Sequence, residues 1–302
     1  MHVVSVILAT YNGADAIERT VKSILGQTGI NVQFKVELII VDDCSTDNTV
    51  ALLEPFDLQI YRTPKNSGGP NTGRNIGLKH ATGDFICIAD QDDEWEPHKL
   101  ATLLPFTDRV KIVTSGYTVI DSTTHRNMVR VNNSGEPHLY FERNATFLTK
   151  LTKSHTGQNT YLGSILYSKE FQHILFEEHF GMVDFDWVVR LFHGQDSIEV
   201  SQSLYNRYVE GSNLSLNEGY RRKDYYYSLM FIEDYEDTYP KAVETARKRI
   251  NGSRARYYYL MDNMHKARFY FLKSSFGMKT LMYYLTTYVG SSFVKKRFNV
   301  FG

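Results

Sequence analysis

The chain has 302 residues, 42% of them hydrophobic and 23% charged, and its formal net charge is +0. Such a composition suits a globular protein with a domain of about 200 residues plus an appendage, and it excludes a disordered chain. No stretch reaches the ~20 apolar residues of a membrane span, and Cys44 and Cys87 show no metal-ligand spacing, which points to a reducing, cytoplasmic setting without disulfides.

The opening MHVVSVILATYNG has no basic leader, so it reads as a first strand over 3–9 and not as a signal peptide. Ile17, Val21, Ile24 and Leu25 then share one helical face. VELIIV (36–41) is a second strand, and Ser45, Thr46 or Asp47 is placed to cap a helix through Val50 to Leu53. LQIY (58–61), DFICIA (84–89) and KIVTS (111–115) are further strands; Asn75 to Ala81 and His98 to Leu104 are helical. The alternation predicts an α/β fold with a mostly parallel mixed sheet, whose ligands bind beyond the carboxyl ends of the strands. The loops of interest are therefore TYNG, DDCSTDNT and DQDD.

A helix cap accounts for Asp47 but not for the pair Asp42–Asp43 at the end of an apolar strand. A carboxylate there can accept from a base N–H or a ribose hydroxyl. Next, NSGGPNTGRNIGLKHATGD (66–84) is a near miss to a phosphate-binding loop, without its lysine and hydroxyl. Backbone N–H groups and the Arg74 guanidinium still suit a diphosphate, although a plain loop with a surface arginine reads equally well. Finally, ADQDDEWEP places Asp90, Asp92, Asp93, Glu94 and Glu96 together. Two carboxylates 6 Å apart repel by about 3 kcal/mol at an effective dielectric near 20, so either solvation or a divalent cation must offset them. An EF-hand is excluded, because its sixth position is Trp95 and not glycine.

From about residue 216 the pattern turns helical, aromatic and basic. Residues 241–302 carry thirteen Lys and Arg against Glu244 and Asp262, and leave the preceding part net acidic. Met278, Leu281, Met282, Leu285, Tyr288 and Val289 form an amphipathic stripe, with Lys295, Lys296 and Arg297 after it. This region suits a membrane surface, a helical cap or a homo-oligomer contact. Nucleic acid is not expected, since no recognised motif accompanies the charge.

Taken in order, VSVILATYNGADAIERTVKSILGQT, VELIIVDDCSTDNT, NSGGPNTGRNIGLKHATGDFICIADQDDEW and GMVDFDWVVRL resemble the family 2 glycosyltransferases with the A-type, Rossmann-like fold. The resemblance covers roughly residues 3–215, which implies a catalytic domain over 1–215 and a helical C-terminal region over 216–302. It implies that Thr10 and Tyr11 line a base pocket with Asn12 beside them, that Asp43 holds the base with Asp42 in support, and that Arg74 reaches towards the nucleotide. It further implies that Asp90, Asp92 and Asp93 form the D-x-D element, with Asp90 on the nucleotide and Asp92 and Asp93 on Mn²⁺ or Mg²⁺. Asp184 resembles the catalytic aspartate; Val183 stands where the family often has Glu, so Asp186 remains an alternative and a cap is open for either. RYVEGSNLS (207–215) resembles the closing segment of such domains, with Glu210 in place of a common histidine.

The implied activity is inverting transfer of one sugar from a nucleotide-sugar, a UDP-sugar foremost, to a hydroxyl of a glycan or lipid-linked acceptor. Two other classes stay open. A sugar nucleotidyltransferase requires a glycine-rich basic loop after the first strand, where this chain has ATYNGADA. A non-catalytic nucleotide-sugar or glycan-binding module would bind without turnover and tolerate Asp184→Asn.

Overall fold

The computed structural model describes residues 1–121, 126–154, 156–179, 184–209, 218–275 and 277–292. The chain divides into two compact units, Met1–Phe147 with Thr156–Tyr220, and Leu148–His155 with Arg221–Gly302.

In the first unit the elements run β1 (His2–Thr10), α1 (Ile17–Leu25), β2 (Phe34–Asp42), α2 (Thr49–Leu53), β3 (Ile60–Arg62), α3 (Pro70–His80), β4 (Phe85–Asp90), β5 (Glu94–Trp95) and α4 (Lys99–Leu103). They continue as β6 (Ile112–Asp121), β7 (Arg126–Arg130), β8 (His138–Phe141), α5 (Ala145–Leu151, whose residues from Leu148 belong to the second unit), β9 (Ile165–Ser168), α6 (Phe185–Phe192) and β10 (Ser197–Val209). The five strands and the helices expected before residue 121 are all present. The sheet order is β3-β2-β1-β4-β9-β6-β10-β5, with β7 on β6 and β8 on β10. It is mixed, as expected: β3, β2, β1 and β4 are parallel, as are β6 and β10, whereas β9, β7, β8 and β5 join antiparallel.

Val4, Val6 and Leu8 of β1 are fully buried on one face and Ile7 on the other, as a strand inside a two-sided sheet must be. The parallel register sets Thr10 beside Asp42 and Ala9 beside Asp90, so the loops after β1, β2 and β4 open at one edge. Helix α3 lies against β1 with almost no gap. A Cβ on Gly77 would meet Ile7 Cγ2 at 2.4 Å, and one on Gly73 would meet the Ala9 Cβ at 2.9 Å. These two glycines therefore serve helix–strand packing and do not belong to a phosphate loop.

A third glycine carries a larger expected effect. A Cβ on Gly163 would stand 2.0 Å from Tyr205 Cε2 in the fully buried interior. Gly163→Ala is expected to lower stability by about 1–3 kcal/mol, because Tyr205 has no space to retreat into. Chemical denaturation checks this; an unchanged midpoint would contradict the packing.

The second unit contains α7 (Glu218–Glu233), α8 (Pro240–Leu260), α9 (Met264–Leu272) and α10 (Met278–Thr286). Its own core is Ala255, Tyr258, Tyr259, Ala267, Phe271 and Tyr283. The stripe on and after α10 faces away from that core: Met278 is 76% exposed and Leu285 57%, whereas Tyr283 is buried. Most of RYVEGSNLS, the 215/216 boundary, Val183 and Lys295–Arg297 lie outside the described residues. No helix among the described residues is long and apolar enough to cross a membrane.

Candidate active site

The loop after β2 is built on its own carboxylates. Asp42 is fully buried, accepts from Ser45 N at 3.1 Å and pairs with Arg62 Nε at 3.3 Å. Asp43 accepts from Thr63 Oγ1 at 2.7 Å, Ser67 Oγ at 2.9 Å and Ser67 N at 2.9 Å. Asp47 accepts from Thr49 N and from Ala14 N, so it makes a turn just before Asn48, the N-cap of α2, and joins the first loop to the second; of the expected caps none fills the N-cap position. Asn12 adopts a left-handed φ of 46°, and its carboxamide oxygen accepts from Thr46 N at 2.8 Å. Its side-chain oxygen is thus engaged in holding the loops together.

Gln91 ties the acidic loop to β1. Its Oε1 accepts from Thr10 Oγ1 at 2.7 Å and Tyr11 N at 2.8 Å, and its Nε2 donates to Tyr11 O at 3.1 Å. The Tyr11 side chain is left 43% exposed at the strand end. Arg74 does not project towards solvent, as a first-turn residue would. Helix α3 starts at Pro70, which puts Arg74 in its second turn, buried, where Nη2 donates to Asp90 Oδ1 at 2.7 Å and Nη1 to Asn71 Oδ1 at 3.0 Å. Its guanidinium lies 5.2 Å from the Phe176 ring, which is stacked on Trp187 of α6 at 4.6 Å.

The three aspartates of the acidic loop have different surroundings. Asp92 is exposed; Asp90 is partly covered by Arg74 and Tyr161. Asp93 points inward, accepts from the Tyr205 hydroxyl and from Tyr208 N at 3.0 Å, and is 2% exposed. Burial first, then the charges of Asp90 and Asp92, push the Asp93 carboxyl up to about 8.

Asp184 and Asp186 also part company. Asp184 precedes α6, is half-buried, and its side chain does not cap the helix. It acts on the same hydroxyl that touches the acidic loop: burial, Asp90, Asp93 and Asp184 together push Tyr161 well above its usual range, against Arg207. Asp186 is 1% exposed and ion-paired to Arg190 Nη2 at 2.7 Å. Its Oδ1 is buried without a hydrogen-bond partner among the described residues.

The profile of glycosyl transferase family 2 matches residues 5–175, more than half of the chain. The chain belongs to glycosyl transferase family 2. Among curated relatives of this glycosyltransferase, the poly(ribitol-phosphate) beta-N-acetylglucosaminyltransferase TarS of Staphylococcus aureus is 36% identical over 108 residues, 34% of this chain and 18% of TarS. The UDP-Glc:alpha-D-GlcNAc-diphosphoundecaprenol beta-1,3-glucosyltransferase WfaP of Escherichia coli is 38% identical over 114 residues, 37% of this chain and 44% of WfaP. The matched segments span less than half the length of these relatives. The crystal structure of S. aureus TarS 1-349 shares the fold, with a TM-score of 0.60 and 18% identity over 98% of this chain and 92% of that one. The same fragment in complex with UDP-GlcNAc gives a TM-score of 0.57 at 18% identity.

A divalent cation fits the glycosyltransferase site in a restricted way. Among the described residues no three His, Cys, Asp or Glu side chains form a metal cage. One or two carboxylates plus substrate phosphates is an ordinary Mg²⁺ or Mn²⁺ donor set, and exposed Asp92 with Asp90 suits it. Asp93 does not, since its oxygens are used inside the fold. Gln91, Tyr161 and Arg207 were not singled out as site residues by the sequence, although Gln91 lies within DQDD and Arg207 opens RYVEGSNLS; Arg207 lies over the Tyr161 ring, 5.0 Å from its centre.

Proposed function

We propose that the protein transfers one sugar, with inversion, from a UDP-sugar to a hydroxyl of a glycan or lipid-linked acceptor. The observation that carries this reading is the convergence of Asp43, Asp90 and Asp92 at one sheet edge, with Asp184 within electrostatic reach of Tyr161 at the same loop. Support for the donor comes from relatives: WfaP is named for UDP-Glc and a diphosphoundecaprenol acceptor, and TarS 1-349 was crystallised with UDP-GlcNAc.

In this mechanism Thr10 and Tyr11 border the base, and Asp43 exchanges a Ser67 or Thr63 hydrogen bond for the ring N–H of the base. Asp90, held by Arg74, meets the ribose. Asp92, with Asp90 beside it, would hold Mn²⁺ or Mg²⁺, which when bound offsets the charge of the departing diphosphate. The Asp184 carboxylate takes the proton from the acceptor hydroxyl as that oxygen attacks the anomeric carbon; one base suffices for inversion. A single half-buried carboxylate at 184 needs no second acid to complete this step.

Calorimetric titration of UDP, GDP and dTDP, each with Mn²⁺ and with chelator, tests the reading. UDP is expected to bind only with metal, Asp92→Ala to abolish the metal dependence, and Asp93→Asn to keep it, because the oxygens of residue 93 serve Tyr205 and Tyr208 inside the fold. Absence of nucleotide binding under every metal condition would remove the transferase donor site. Loss of the metal effect in Asp93→Asn alone would return Asp93 to the cation.

The outward stripe Met278, Leu281, Met282, Leu285, Tyr288 and Val289, with Lys273 and Lys279 nearby in sequence, favours a second element: peripheral docking on an anionic membrane surface. Vesicle sedimentation is expected to show binding that Leu285→Glu with Met282→Glu removes; equal binding by both would leave the stripe to a copy of the chain.

A further inference from the structure

The second unit holds a cavity that takes no part in the chemistry above. It lies between α7 and α8, has a volume of about 50 Å³, and is lined by Lys153, Arg221, Arg254, Asp224, Tyr225 and Ser228, with Ser253, Tyr257 and Ile250 completing the wall. A single water needs roughly 10–15 Å³ by this measure, so the space accommodates several water-sized positions, as one tetrahedral oxyanion requires.

Its lining carries three cationic side chains and one carboxylate, Asp224. Arg254 is 6% exposed and sits among the rings of Tyr225, Tyr257 and Tyr258, 5.2, 5.6 and 4.6 Å from their centres. Its Nη1 donates to Arg221 O at 3.1 Å and its Nη2 to the Tyr258 hydroxyl at 2.8 Å. Its buried Nε–H has no acceptor, and Arg254 forms no ion pair among the described residues. A buried guanidinium without an anion is costly, and an orphaned donor adds to the cost. Neutral hydroxyls stand beside the cations. Ser228 is fully buried and accepts from Lys153 Nζ at 3.0 Å. Burial, followed by the neighbouring Tyr270, pushes the Tyr225 hydroxyl up to about 12, so it stays neutral, and it donates to Asn251 Oδ1 at 3.0 Å.

We propose that this cavity is a binding site for a phosphate group, carried either by a soluble phosphorylated molecule or by a lipid headgroup. Arginine and lysine around neutral hydroxyls match a tetrahedral anion of one to two charges, and a bound anion would supply the counter-charge that Arg254 lacks among the described residues. The site is independent of the donor site in the first unit, so it stands even if no nucleotide binds there.

Titration of inorganic phosphate into the full chain, followed by calorimetry, tests the proposal. Wild type is expected to show saturable binding. The rim variant Lys153→Gln with Arg221→Gln is expected to bind about tenfold more weakly or worse, with its circular dichroism and UDP affinity unchanged. Arg254→Lys keeps the charge, removes the Nε–H fork and is expected to weaken binding similarly. Absence of saturable binding to wild type, or wild-type affinity in the rim variant, overturns the proposal. Sedimentation with phosphatidylcholine vesicles containing phosphatidic acid then assigns the source. Displacement by free phosphate supports a lipid headgroup in the pocket; no displacement, alongside a pocket that binds free phosphate, supports a soluble ligand.

Discussion

Asp184→Asn is expected to reduce turnover by about 10²–10⁴-fold while UDP affinity stays at the wild-type level. An amide cannot accept the acceptor's proton, yet it keeps the size of the carboxylate and leaves the backbone start of α6 intact, where Val188 N donates to Asp184 O at 2.8 Å. The companion substitution Asp186→Asn should behave differently. It weakens the ion pair with Arg190, whose side chain is one-third exposed, so the expected cost is to stability, on the order of 2 kcal/mol, with turnover per folded molecule preserved. Steady-state kinetics with denaturation curves on both variants separates these outcomes. Full activity in Asp184→Asn, with activity lost in a folded Asp186→Asn, would move the base to residue 186.

The parts of this site that were legible in the sequence are those written in strand patterning. Apolar runs buried on both faces located β1, β2 and β4, and parallel order then placed Thr10, Asp42 and Asp90 at adjacent strand ends. What those ends do internally was not legible. Asp90, Asp92 and Asp93 look alike as letters, but only Asp93 falls against Tyr205 and Tyr208, residues more than a hundred positions away. Arg74 read equally well as a diphosphate contact and as a surface cation because its helix was placed five residues late; beginning at Pro70, the same helix turns Arg74 inward. Strand β7 is exposed at every residue and has no apolar alternation to betray it. The α10 stripe had a clear period, but a period does not say which neighbour a face meets. Likewise, Leu148–His155 groups with the second unit through tertiary packing that no local composition marks.

Arg74→Ala is expected to lower stability by about 3 kcal/mol, near the bottom of the range for breaking a buried pair, since Asp90 is 23% exposed and water can reach part of its charge. The remaining carboxylate would face Asp92 and the inward Asp93 without its guanidinium, and the Asn71 carboxamide oxygen would lose the Arg74 Nη1 donor. Asp90 is then free to swing away from the position in which it meets the ribose, so nucleotide affinity should fall as well. The disturbance should stop at Phe176. Asn75 holds that residue by two backbone bonds of 2.8 Å, and Trp187 remains stacked on its ring, so α6 and Asp184 keep their support. Turnover at saturating donor is therefore expected to survive where KM does not. A double-mutant cycle with Asp90→Asn measures the pair directly: the double variant should cost less than the sum of the singles by roughly 1–3 kcal/mol. Additive costs, or a loss below about 1 kcal/mol for Arg74→Ala, would mean that solvent already neutralises Asp90 and that the acidic loop holds its shape through Gln91 and Tyr205 alone.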